Sequence, residues 1–61
     1  MNAKVAERLA AFWTQHKIAY DKAYVNGELD DVVYHATIIN ALSVVAAKSP
    51  IMGKAIDRLT G

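Results

Sequence analysis

Apolar positions in the first third of the chain recur at helical spacing. Val5, Leu9, Phe12, His16, Ala19 and Ala23 are separated by 4, 3, 4, 3 and 4 residues. At about 3.6 residues per turn these positions share one stripe. Trp13, Tyr20 and Tyr24 lie along one flank of it, and Lys4, Glu7, Arg8, Gln15, Lys17, Asp21 and Lys22 take up most of the rest. Ala and Leu are plentiful and no Pro interrupts. The pattern predicts an amphipathic helix over about 3–24. Ala11, Ile18 and Val25 recur every seven residues on the face away from the stripe. They read as scattered exposed apolars, with a secondary contact ridge as the alternative.

Asn26-Gly27 punctuates the pattern. Gly27 is placed to close the first helix and Asn26 to cap the next. Glu28, Asp30 and Asp31 then fall in a first turn, where carboxylates favour the positive end of the helix dipole. So short a loop implies an antiparallel hairpin of helices. A hairpin of strands is excluded because the flanking segments repeat every 3.6 residues and do not alternate.

The second helix is expected over about 28–48. Its core, LDDVVYHATIINALSVVAA, leaves no wide polar face. Leu29, Val32, Val33, Ala36 and Ile39 make one stripe, assigned to the first helix. Ile38, Leu42 and Val45 make another, with Tyr34 and Ala41 beside it. A helix apolar all round is normally buried on most sides, so this one is expected to be the central helix. Its many β-branched residues lower its own helix propensity and make it depend on packing. Lys48-Ser49-Pro50 ends it, because the residue before Pro is disfavoured in the α region. Ser49 as N-cap and Pro50 at the first helical position predict a third helix, about 50–59. Met52, Ala55, Ile56 and Leu59 give it an apolar face, placed to fold over the open end of the hairpin.

Length sharpens this picture. Sixty-one residues is one domain, near the lower limit for folding without a staple. There is no Cys, which excludes a disulfide or thiolate metal site and suits a reducing, cytoplasmic compartment. The remaining staple is a partner. The expectation is an all-α fold: a helical hairpin plus a short C-terminal helix, completed by dimerisation into a bundle. Ile38, Leu42 and Val45 are the expected dimer interface. The N-terminus carries Lys4, Glu7 and Arg8 where the apolar region of a leader would begin, so none is expected. The longest uncharged run, Val32 to Ala47, has 16 residues and includes His35 and Asn40. That is short of the roughly 20 apolar residues of a spanning helix, and no membrane role is expected.

Seven Lys plus Arg against six Asp plus Glu give a net charge of +1, no nucleic-acid signature in itself. The hairpin nevertheless sorts the charges. Lys4, Arg8, Lys48, Lys54 and Arg58 gather at the open end, diluted by Glu7 and Asp57. Asp21, Glu28, Asp30 and Asp31 gather at the turn end, diluted by Lys17 and Lys22. Two ordinary solvated ends with charges suited to helix termini would show the same pattern.

Candidate chemistry is sparse. His16 and His35 lack the spacing and companions of a zinc site. A His16–Asn40 hydrogen bond across the hairpin is the structural expectation. The acidic run at 28–31 lacks the spacing and distal Glu of a calcium loop. No phosphate-loop, dinucleotide or nucleophile motif occurs. No catalytic residue, cofactor or metal is expected. Trp13, Tyr20 and Tyr24, extended by Tyr34, are the best binding candidates, because large rings with polar tips dominate protein interfaces. The competing assignment makes the first three core residues, packing on Val32, Val33 and Ile39. The fragment GELDDVVYHATIINAL, preceded by an aromatic helix and followed by Ser-Pro, resembles a single tetratricopeptide-type helix hairpin. Its small residues fall elsewhere and there is one copy, so the likeness is of geometry and implies no family.

The reading these features favour is a non-enzymatic helical protein that binds another protein and itself. An adaptor, inhibitor or anti-activator of the kind that compact bacterial, plasmid or phage genomes encode would fit. The alternatives are a helix-turn-helix-like nucleic-acid regulator using Lys48, Lys54 and Arg58, and a structural subunit of a larger assembly.

Overall fold

The computed structural model describes all 61 residues. It holds three helices and no strand: α1 Ala3–Asn26, α2 Leu29–Ala47 and α3 Pro50–Thr60. The fold is all-α. Each boundary has a local cause. Asn2 caps α1, its Oδ1 accepting from the Val5 amide at 2.9 Å. Gly27 ends α1 at φ 70°. Its amide donates to the Tyr24 carbonyl at 3.2 Å, and the Glu28 amide donates to that of Ala23 at 2.9 Å. This is the paired closure that a left-handed residue allows, and glycine takes the conformation without strain. Ser49 caps α3 by accepting from the Met52 amide at 3.2 Å, with Pro50 in the first turn.

One cap differs from expectation. Asn26 does not cap α2. It is the last residue of α1, and its Nδ2 donates to Glu28 Oε1 at 3.5 Å. The tight closure at Gly27 keeps the chain helical through Asn26, two residues beyond the expected end. Glu28 therefore takes the N-cap position of α2 without a side-chain cap bond, and Asp30 and Asp31 supply the first-turn carboxylates.

The larger correction concerns which helix is central. α1, not α2, packs along both of the others, and α2 contributes no buried residue. The buried side chains are Ala6, Ala10 and Ala23 of α1, and Met52 and Ala55 of α3. On the expected α1 stripe, Val5 and Phe12 are exposed and Leu9, His16 and Ala19 are half-buried. Close helix approach selects for small side chains at the contact line, since Ala lets a neighbouring backbone come near. A pattern scored on large apolar residues therefore misses Ala6 and Ala10, both at 0% exposure. Val33, expected against α1, is 65% exposed.

α3 starts beside the start of α1, where Ser49 Oγ lies 3.7 Å from Met1 Sδ. It ends with Leu59 and Thr60 beside Trp13, Lys17 and Ile18. It therefore runs alongside the first half of α1 in the same direction, with Met52 and Ala55 packed in. The molecule is 36 × 20 × 14 Å with a radius of gyration of 11.9 Å, against about 10.5 Å for a compact chain of this length. Its accessible surface is 4339 Å2, where about 3,900 Å2 is usual for the size. Five buried residues of 61 make a thin core.

Candidate interaction surface

Two polar contacts tie α2 to α1. The Trp13 indole Nε1–H donates to Ser43 Oγ at 2.9 Å, and Ser43 Oγ donates in turn to the Ile39 carbonyl at 2.7 Å. The His16 and His35 Nδ1 atoms lie 2.9 Å apart, so one ring donates and the other accepts. Rising positions in α1 thus meet falling positions in α2. His16 finds His35 and not Asn40, which is exposed. At about 100° per residue, Asn40 lies some 140° round the helix from His35, beyond reach of α1. Tyr34 packs edge-on against both rings, with centroids 5.0 Å from His35 and 6.2 Å from His16. No third His, Cys, Asp or Glu joins the histidines.

These contacts define two sides of the α1–α2 pair. One belongs to α3: Trp13 borders Leu59 and Thr60, and Glu7 and Ala11 border Ala55, Arg58 and Leu59. Trp13 is thus half-buried at the junction of the three helices, hydrogen-bonded to Ser43 and not against Val33. The other side carries the His16–His35–Tyr34 cluster. The helical repeat puts Val5, Phe12 and Ala19 of α1 on that side, with Ile38, Leu42 and Val45 of α2. Nothing in the chain covers it. Phe12 is 55% exposed and Tyr34 59%. Ile38 and Leu42 are half-buried where this side meets α1, and Val45 is exposed.

The remaining expected site residues scatter. Tyr20 is half-buried and Tyr24 exposed. Their rings stack at 6.2 Å on the α3 side, beyond the end of that helix, and Lys17 Nζ sits 5.5 Å over the Tyr20 ring. Tyr34 lies on the opposite side of the hairpin, so the four aromatics do not form one surface. Leu29, Val33 and Val44 are exposed along the outer flank of α2. Lys48, Lys54 and Arg58 are exposed, and the Arg58 guanidinium lies 3.9 Å from the Glu7 carboxylate, which offsets part of its charge. Ile18 and Val25 are exposed, while Ala11 is half-buried beside α3. Phe12 was the surface residue the pattern concealed, because it sits on the most regular apolar stripe.

α2 also has the length and composition of a membrane-crossing helix: 19 residues, mean hydropathy 1.2, none buried. No protein-family model, no curated protein and no solved structure matches the chain.

Proposed function

We propose that this is a non-enzymatic helical protein that works by protein–protein binding and completes its own core by self-association. One observation carries the reading: the most apolar helix is the only one without a buried residue. Large contiguous apolar surface on a soluble domain marks an interaction site. A homodimer covers such surface most economically, because one patch covers its own copy about a two-fold axis.

The exposed apolar length of α2 also favours a second reading, insertion into a bilayer. The dimer accounts better for the contacts of α2. His35 and Ser43 are hydrogen-bonded to α1. A spanning α2 would either break those contacts or draw in the charged side chains of α1, at a cost of several kcal/mol. Sedimentation velocity over a micromolar concentration series separates the readings. A dimer is expected in detergent-free buffer. A chain that stays monomeric and cooperatively folded overturns self-association, and partition into neutral lipid vesicles would assign α2 to the membrane.

A further inference from the structure

We infer that the second copy docks on the side of the hairpin opposite α3, lengthwise antiparallel, so that α2 lies over its own copy with Tyr34 near the partner's Val45. This rests on the self-association reading and adds the face and the orientation.

The face follows from continuity. From Val5 to Ala23 the α1 stripe carries no charged residue, and the facing edge of α2 supplies Tyr34, Ile38, Leu42 and Val45. The half-covered Ile38 and Leu42 join the exposed Phe12, Tyr34 and Val45 into one surface. The outer flank of α2 is less suited, because Asn40 sits in its middle and α1 adds nothing to it. Area agrees. A face with the full outline of the molecule, 36 × 20 Å, pairs with its copy to cover at most about 1,400 Å2, and stable complexes start at roughly 1,200 Å2.

The orientation follows from charge. The open end holds five cations and two carboxylates, a net +3, and the turn end holds two cations and four carboxylates, a net −2; together these give the chain's +1. Two-fold pairing along the helix axes sets +3 beside +3. Pairing across them sets each +3 end over a −2 end, which complementarity favours. The Trp13–Ser43 and His16–His35 contacts set the middle of α1 opposite Ile39 of α2, so at about 1.5 Å per residue Tyr34 and Val45 lie at nearly equal distances from the centre of that pair.

Absence of Cys makes the test direct. Purified Tyr34→Cys and Val45→Cys proteins are mixed and mildly oxidised. Rapid disulfide formation between the two variants, with little within either alone, is expected. Within one chain the two positions are eleven residues apart on a helix, about 16 Å, too far to bridge. Exposed-site variants Phe12→Asp and Tyr34→Arg should weaken the dimer by about thirtyfold or more, as loss of an interface anchor does. Val33→Asp, on the outer flank, should not. A dimer that resists Phe12→Asp and Tyr34→Arg, or yields no mixed disulfide, overturns the face and orientation while leaving self-association intact. A wild-type monomer overturns both. Circular dichroism of each variant separates dissociation from unfolding.

Discussion

α2 and α3 both pack on α1, and they reverse the usual relation between apolar content and burial. α3 has 11 residues, a glycine inside it and the polar Lys54, Asp57, Arg58 and Thr60, yet it supplies Met52 and Ala55 to the core. α2 has 19 residues and far more apolar surface, and it supplies none. The difference lies in pattern. α3 segregates its apolar residues onto one arc, so a single contact with α1 buries Met52 and Ala55 and half-covers Ile56, leaving Ile51 and Leu59 exposed at the edges. α2 spreads Leu29, Val33, Tyr34, Val44 and Val45 around its circumference. One neighbour covers only about a third of a helix. Uniform apolarity in so small a chain is therefore a measure of unmet packing.

The comparison is tested first at the buried residue of α3. Met52 is at 0% exposure and is the largest fully buried side chain. Met52→Ala should cost about 2–5 kcal/mol, from lost transfer energy and the cavity left behind. In a chain this small that lowers the melting temperature on the order of 15–40 °C. Thermal unfolding followed by circular dichroism at fixed protein concentration reads it. A loss below about 1 kcal/mol would mean that α3 is not the anchor of the core.

Much of this architecture was legible in the residues. The period of α1, the closure at Gly27 and the Ser49-Pro50 start of α3 are local signals, written in neighbouring residues, and the three helices follow from them. The identity of the central helix was not legible. Large apolar side chains advertise surface that wants cover, whereas the line of closest approach is made by Ala6 and Ala10, whose small size leaves no mark in a hydrophobic pattern. Asn26 misleads for a related reason. An Asn before Gly reads as the start of the next helix, and only the bonds of the Gly27 turn show that it ends the previous one. Of the candidate surface, Tyr34 and Val45 were visible from α2 alone. Phe12 is hidden because its whole stripe looks like the contact with α2, whereas the hairpin closes on an arc that takes in Trp13 and His16 and leaves Phe12 to one side.

A smaller effect of opposite sign comes from the weak point of α3. Gly53 lies inside the helix, and an added Cβ would meet the Ala46 carbonyl at 3.9 Å, an ordinary contact. Its φ lies outside the left-handed region, so Ala fits the conformation. Gly53→Ala should stabilise by about 0.5–1 kcal/mol, mostly by restricting the unfolded chain. Urea midpoints at constant m-value check it. A destabilised variant would indicate that α2 and α3 sit closer than 3.9 Å allows.

The smallest effect discriminates most sharply between the flanks of α2. Val33 is 65% exposed and lies away from the side that carries Tyr34. Removing two methyl groups there deletes little buried surface, and Ala has the better helix propensity. Val33→Ala should change stability by less than about 0.5 kcal/mol, as surface substitutions do. The same substitution at Val45, under a docked copy, should cost more, and its cost should grow with protein concentration, because only the dimer buries it. If the order reverses, the outer flank is the one covered in solution. α2 would then pair through Leu29, Val33 and Val44, and Asn40 would become a buried polar residue able to fix the register of that contact.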